Sequence, residues 1–334
     1  MSNKPTILVT GGAGYIGSHA VLALRDAGWP VVVVDNLTTG FRFAIPADVP
    51  LVEADIADQT AVEAAMRAHD VKAVMHFAGS IVVPESVENP LKYYQNNTVN
   101  SRALIESAVR CGVPHLIFSS TAATYGMPDV SPISESCPQR PINPYGMSKL
   151  MTEYMLRDVS AAHPINFCAL RYFNVAGADA LARSGQSTAG ATHLIKVAVE
   201  AALGKRSHVG VFGTDFDTED GTGVRDYIHV SDLAAAHVLA LEALIAQPDQ
   251  NHLLNCGYGR GFSVLEVLDA VDRVTNLKVE RRIEGRRAGD PASLVSDNRA
   301  IMATFPWKPR FADLDIIIAH ALAWERKLTE IRSG

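Results

Sequence analysis

Apolar runs and stretches of helical spacing take turns along the first half of the chain. The runs are Thr6-Ile7-Leu8-Val9-Thr10, Val31-Val32-Val33-Val34, Leu51-Val52-Glu53-Ala54, Ala73-Val74-Met75-His76-Phe77, His115-Leu116-Ile117-Phe118 and Asn166-Phe167-Cys168-Ala169-Leu170-Arg171. Between them, helical periodicity runs through Ala20, Leu22 and Leu24 to the stop signal Ala27-Gly28, then over 60–69, 90–109 and onward from Asn143. Such alternation of strand and helix signals predicts an α/β fold. Beyond Tyr172 the alternation loosens, and the glycine-rich, polar stretches 176–190 and 213–223 interrupt helical segments such as 194–203. This pattern predicts a first domain over 1–172 and a smaller region over 173–334 that lines its cleft. An amphipathic helix over 314–328 ends the fold.

The helix beginning after Asn143 carries the most suggestive chemistry. Asn143 is a good N-cap and Pro144 suits the first helical position. At about 100° per residue, Met147, Leu150, Met151 and Tyr154 form one apolar stripe, predicted to face the core. Tyr145 and Lys149 stand one turn apart on the opposite side. A phenol beside an ammonium loses its proton more easily, which makes a base able to work near neutral pH. Taken alone, Tyr-x-x-x-Lys describes an interfacial tyrosine and a solvated lysine equally well.

The first strand runs straight into Gly11-Gly12-Ala13-Gly14-Tyr15-Ile16-Gly17 and then a helix. Glycines at Gly11, Gly14 and Gly17 allow a tight turn and a close approach to a pyrophosphate at the positive helix end. Asp35 closes the second strand, 18 residues beyond Gly17. A carboxylate there accepts hydrogen bonds from an adenosine ribose and repels a 2′-phosphate, favouring NAD over NADP. Asp55, after the third strand, either caps the next helix or meets an adenine amino group. His76 reads as a satisfied core histidine. Asn96, Asn97 and Asn100 are poor helix formers within a helical stretch, so at least one is expected to turn toward a ligand. Ser119-Ser120-Thr121 follows the fifth strand, at the sheet edge where such folds bind ligands. A hydroxyl there can relay a substrate proton, although an ordinary turn explains it too.

Charge and composition narrow the classes. The 334 residues carry a net charge of −6, with 48% apolar and 20% charged residues. That balance argues against a general nucleic-acid or anionic-membrane surface. No apolar run approaches spanning length, and the opening residues lack a signal peptide's apolar core. Cys111, Cys137, Cys168 and Cys256 have neither paired nor metal-type spacing, which suits a reducing, cytoplasmic setting. Arg225, Arg286 and Arg287 read as loop arginines suited to a diphosphate, with surface solvation the alternative for any one of them.

With Gly11-x-x-Gly14-x-x-Gly17 and Tyr145-x-x-x-Lys149 together, the chain resembles the extended short-chain dehydrogenase/reductase family, which includes NAD-dependent epimerases and dehydratases. Phe118-Ser119-Ser120-Thr121-Ala122-Ala123-Thr124-Tyr125-Gly126 and Arg171-Tyr172-Phe173-Asn174 strengthen the likeness. The stretch from Thr218 to Val230 resembles a signature of that family's UDP-glucose 4-epimerases. The resemblance covers essentially the whole chain. It implies a Rossmann-type doubly wound parallel sheet and a smaller C-terminal α/β substrate domain, with a return to the first domain near 227–240.

By the family's pattern, Tyr15, Ile16, Asp35, Asn36, Asp55, Ile56, Phe77, Ala78, Gly79, Asn96, Ser119, Lys149 and Tyr172 would contact NAD. Phe173, Asn174, His193, Leu194, Phe212, Arg225, Arg287 and Asp290 would hold a UDP-sugar. The implied reaction interconverts UDP-glucose and UDP-galactose through transient C4 oxidation. Tyr145 would act as base, Lys149 would lower its pKa and bind the nicotinamide ribose, and Thr121 would orient the hydroxyl. A homodimer packed through helices of the first domain is also implied.

The chain departs from the family at three points. Ile81 stands where many members carry lysine, and His193 where many carry asparagine. Leu294 stands where side-chain size tunes acceptance of N-acetylated sugars, and its bulk favours plain hexoses. Among rivals, a 4,6-dehydratase would need an acid pair where Ala122-Ala123 stand. An epimerase of UDP-glucuronate or UDP-N-acetylhexosamine, or a related uronate decarboxylase, is closer. A non-catalytic NAD-binding regulator would typically lack Tyr145 or Lys149, and a simple dehydrogenase would release its cofactor.

Overall fold

The computed structural model describes residues 4–287 and 289–333. In chain order the first part runs β1 (Thr6–Thr10), α1 (Tyr15–Asp26), β2 (Val31–Asp35), β3 (Leu51–Glu53), α2 (Gln59–Ala68), β4 (Val71–His76), α3 (Val83–Glu88), α4 (Pro90–Tyr93), a π-helical turn (Tyr94–Val99), α5 (Asn100–Arg110), β5 (His115–Thr121), α6 (Pro144–Ala162) and β6 (Asn166–Tyr172). The remainder runs β7 (Asn174–Ala176), α7 (Leu194–Ala202), β8 (Val209–Phe212), β9 (Val224–His229), α8 (Val230–Ala246), β10 (His252–Cys256), β11 (Gly261–Ser263), α9 (Val264–Thr275), β12 (Arg281–Glu284), β13 (Ser293–Leu294), α10 (Arg299–Thr304) and α11 (Leu314–Ser333).

Seven parallel strands form the large sheet in the order β10-β6-β5-β4-β1-β2-β3. Because crossovers are right-handed, helices cover both faces. Ile7, Val9, Val31, Val33 and Met75 pack on one face with Ala20, Leu24 and residues of α8 such as Leu233 and Leu241. Leu8, Val32, Val34, Val74, Leu116 and Phe118 pack on the other with Met66, Leu104 and Leu156. The near-continuous apolar runs of the sequence are thus strands buried on two sides. The chain reverses direction across the sheet between β1 and β4, the switch point where such sheets open a crevice at their carboxyl edge.

Of the 227–240 stretch, β9 pairs within a smaller sheet with β7, β11 and β13, while α8 packs on α1. The seventh strand of the large sheet is β10, which apolar periodicity does not single out. β8 and β12 form a separate parallel pair, and α7, α9 and α11 bury Ile195, Val199, Val267, Leu268, Ile317 and Ile318 against these small sheets.

Candidate active site

The turn after β1 is built for close packing. A Cβ on Gly17 would stand 2.1 Å from the Gly11 carbonyl oxygen, and one on Gly11, where φ is +68°, would stand 2.6 Å from the Ala78 nitrogen. Among the described residues no side chain caps α1, and its first turn holds no acid. Its leading N–H groups and positive end therefore suit an anion. Asp35 is buried, with one carboxylate oxygen accepting from the Ala13 N–H at 2.9 Å and the other from the Leu37 N–H at 2.8 Å. Each oxygen keeps lone-pair capacity for a further donor. The residues present fit a dinucleotide.

Asp55 does not cap α2; Asp58 does, accepting from the Ala61 N–H at 3.0 Å. Asp55 instead accepts from Asn36 Nδ2 at 3.0 Å and from Asn100 Nδ2 at 3.2 Å, at the carboxyl edge beside Asp35. Ile56 lies in the core beneath. Asn97 is buried and clamps the loop after β4: its Oδ1 accepts from the Ser80 N–H at 2.7 Å, and its Nδ2 donates to Ser80 O and Ser148 Oγ. Asn96 Nδ2 donates to Ser80 Oγ at 2.9 Å. Phe77, Ala78 and Gly79 lead into this loop, and a Cβ on Gly79 would lie 3.6 Å from Lys149 Nζ. Ile81 is half exposed at 53%. His76 is a core histidine, bonded to Thr10 Oγ1 and Ser101 Oγ at 2.8 Å each; burial pushes its pKa down to about 3.

Asn143 caps α6 by accepting from the Gly146 N–H at 2.9 Å. A Cβ at Gly146 would come within 2.5 Å of the Ala123 carbonyl oxygen, so glycine lets the first turn of α6 press against the turn after β5. That approach sets the Tyr145 phenol near enough to the Thr121 hydroxyl for the hydroxyl to favour loss of its proton. Residues 119–121 belong to β5 rather than to a turn. Lys149 is buried, its Nζ donating to the Ser119 carbonyl at 2.9 Å and lying 4.9 Å from the Phe118 ring centre. Ser119 Oγ in turn meets the Tyr172 hydroxyl. Tyr93, which sequence reasoning missed, packs edge-on against Tyr145 at 6.5 Å.

One expectation about α6 is corrected. Of the apolar stripe Leu150 is buried as expected, but Met151 and Tyr154 are exposed at 38% and 42%, and polar Ser148, Lys149, Thr152 and Glu153 are buried beside Leu150. Fixed partners explain this: the polar side chains bond Asn97, Ser119 and Arg171, so each keeps a hydrogen bond when buried. Burial raises the Tyr145 pKa, the nearby Thr121 hydroxyl offsets part of that rise, and Lys149 Nζ donates to the Ser119 carbonyl. Burial also pushes Lys149 down to about 8.

The smaller region supplies the second wall. A small pocket brings together Tyr15, Asn174, His193, Leu194 and Tyr227. His193 precedes α7, its Nδ1 2.8 Å from Gln186 Nε2, and burial lowers its pKa. Arg225 is not in a loop but in β9, ion-paired with Asp290. Arg287 and Arg286 lie past β12, stacked over Phe212 at 3.6 Å and Phe216 at 3.8 Å. Phe173 and Leu294 pack on Ala122, Tyr125 and Ile133, next to Thr121. Tyr15 donates to the Gly177 carbonyl at 2.7 Å, tying the turn after β1 to the smaller region; Ile16 packs against the core.

The family described as NAD dependent epimerase/dehydratase matches residues 7–257. The UDP-glucose 4-epimerase of Azospirillum brasilense is 56% identical over 327 residues, covering 98% of this chain and 94% of its own. The crystal structure of UDP-glucose 4-epimerase from Brucella ovis in complex with NAD superposes with a TM-score of 0.92 at 43% identity, covering 96% of this chain and 98% of that one. The UDP-glucose-4-epimerase from Stenotrophomonas maltophila, with bound NAD and formylated UDP-arabinopyranose, gives 0.94 at 39% identity over 98% and 99%.

Proposed function

The chain belongs to the NAD dependent epimerase/dehydratase family, and on that premise we propose that it interconverts UDP-glucose and UDP-galactose by transient oxidation at C4. The observation that supports the reading is the placement of Tyr145 and Lys149 on one side of α6 next to Thr121 and Ser119 at the carboxyl edge of a parallel sheet, beside a turn shaped for NAD. Thr121 orients the C4 hydroxyl, and Tyr145 takes its proton at the phenolic oxygen and later returns it. Burial holds a proton on Tyr145, so the residue becomes a base only when positive charge is brought beside it. When bound, NAD supplies that charge through its oxidised nicotinamide ring, together with the acceptor and later donor of the C4 hydride. Lys149, at a pKa of about 8, stays largely cationic near neutral pH and binds the nicotinamide ribose. Gly11, Gly14, Tyr15, Ile16 and Gly17 receive the pyrophosphate, Asp35 and Asn36 the adenosine ribose, and Asp55 and Ile56 the adenine side. Phe77, Ala78, Gly79, Asn96, Ser119 and Tyr172 complete the cofactor's walls.

Asn174, His193, Leu194, Phe212, Arg225, Arg287 and Asp290 grip the uridine diphosphate, while Phe173 and Leu294 bound the hexose. The grip is firm on the diphosphate and loose on the sugar, so the 4-keto hexose can turn and be reduced on its other face. Leu294 narrows the hexose pocket, which favours UDP-glucose and UDP-galactose over N-acetylated sugars. Buried Ala122 directly after Thr121 offers no acid for dehydration. Exposed Val87, Leu91, Val99, Met151 and Tyr154, on neighbouring helices, support a homodimer through this face. The free thiols of Cys111, Cys137, Cys168 and Cys256 support a cytoplasmic setting.

The test is to incubate the purified protein with UDP-galactose, without added NAD, and measure the UDP-glucose formed. Conversion is expected. No conversion by protein that contains bound NAD would overturn the reading.

A further inference from the structure

Directly behind the Thr121–Tyr145 pair lies a buried polar row that the proton and hydride transfers do not use. Ser120, Arg171 and Asn255 are register partners across β5, β6 and β10, and the next row toward the carboxyl edge is Thr121, Tyr172 and Cys256. Since side chains alternate along a strand, Ser120 and Arg171 point to the α6 side while Ser119 and Tyr172 point to the other. There Glu153, one turn beyond Lys149, receives both Ser120 and Arg171. Arg171 Nε donates to Glu153 Oε1 at 2.9 Å and Nη2 to Oε2 at 2.6 Å, and Ser120 Oγ donates to Oε1 at 2.5 Å. Arg171 Nη1 donates to the Tyr125 hydroxyl at 2.9 Å, and Tyr125 donates to Asn255 Oδ1 at 2.7 Å. Glu153 is 3% exposed, Arg171 2%, Ser120 1% and Asn255 0%.

An ion pair taken this far out of water is weak support for stability, because its desolvation cost rivals its attraction. Here the geometry assigns it something else. The network joins four pieces of chain that must agree for the proton transfer to have its geometry: the end of β5 with Thr121, the turn carrying Tyr125, the end of β6 with Tyr172, and the face of α6 bearing Lys149. We infer that Glu153 and Arg171, with Ser120 as the link, are positioning residues that hold Thr121 against Tyr145 and Lys149 against the Ser119 carbonyl. They touch neither substrate nor cofactor. Because the diphosphate is gripped far along the chain by residues of the smaller region, loosening this row changes the reaction step and leaves nucleotide-sugar binding intact. A displacement of about 1 Å at reacting groups is enough to cost on the order of 100-fold in rate.

The inference rests on the epimerase reading, so wild-type turnover of UDP-galactose is measured first; its absence in protein containing NAD overturns that reading. With turnover established, Ser120→Ala, Glu153→Gln and Arg171→Gln are compared as NAD-containing proteins, with kcat, KM, bound NAD and melting temperature measured for each. Ser120→Ala removes one hydroxyl and keeps the buried pair, so it serves if the two charge variants do not fold. The expected result is a kcat about 10-fold lower for Ser120→Ala and about 100-fold lower for each charge variant that folds. KM is expected to stay within about 2-fold and bound NAD to be undiminished, and a crystal structure of Ser120→Ala is expected to show Thr121 displaced relative to Tyr145. Unchanged kcat in folded Ser120→Ala overturns the inference, as does a loss that falls on KM or merely tracks the folded fraction.

Discussion

The walls of the cleft are made in two different ways. On the sheet side, side chains are set by strand ends: Thr121 faces Tyr172 across β5 and β6, and Ser120 faces Arg171 one step behind. A slip of one residue would reverse every side chain, so register alone holds position. On the smaller side, β13 is two residues long and β7 and β11 three each. There the arginines rely on few neighbours, Arg225 on Asp290 and the Val224 carbonyl and Arg287 on the Phe212 ring. Parts fixed by register suit groups that must meet at bonding distance, whereas arginine contacts on loops and short strands suit a charged ligand that arrives and leaves.

That contrast can be broken from its stiff side first. Gly17→Ala would press a methyl onto the Gly11 carbonyl, and the purified variant is expected to contain no NAD, as read by absorbance after denaturation. Tyr145→Phe keeps the packing and removes the base; turnover is expected to fall by about 10²- to 10⁴-fold with NAD retained. Near-normal turnover would remove Tyr145 from its role. From the looser side, Arg225→Ala is expected to raise KM for UDP-galactose about 10-fold or more through loss of a charge-assisted contact, with a far smaller change in kcat.

Acid separates the halves less sharply. Burial pushes His76 and His229 down to about 3, and His19 and His237 to about 4, below the unfolded value of about 6.5. Between these limits the unfolded chain binds more protons than the folded one. Stability is therefore complete above about pH 6.5 and falls as the pH drops toward 4. Melting temperatures measured across that range are expected to decline steadily, and a flat profile would contradict the neutral, buried histidines. The smallest effect is expected at Met151→Ala, below about 1 kcal/mol for an exposed side chain, against about 2–5 kcal/mol for Leu150→Ala one position away. Equal losses in denaturant titrations would place Met151 in the core beside Leu150.

Legibility in the sequence divides along the same line. The units β1-α1-β2 could be read because long periodic segments and a glycine turn agree at every level. Strand order put a hydroxyl at the sheet edge, and the family resemblance singled out Thr121 as the partner of Tyr145. The face of α6 was misread because apolar periodicity assumes that polar side chains seek water, and those of Ser148, Lys149 and Glu153 find partners inside instead. Lys149 and Glu153 at four-residue spacing look like a surface ion pair; the signal that could have corrected this was Arg171 at the end of an apolar strand. Arg225 was assigned to a loop because a six-residue strand amid glycines and acids has too little periodicity to declare itself. β10 was passed over for a similar reason, since its place depends on a parallel partner, β6, some 80 residues earlier.

The π-helical turn at Tyr94–Val99 has a consequence for how the gene can vary. A wide turn holds one residue more than an α-helix uses for the same arc, so the residues beyond it are rotated by about 100° relative to an unbroken helix. Asn97 reaches Ser80 and Ser148, and Asn100 reaches Asp55, from that rotated frame. Deleting a single codon there would yield a more regular helix and swing both amides off their partners. Mutation toward better local geometry is thus a route to a worse protein, and the irregularity is kept in place by what surrounds it.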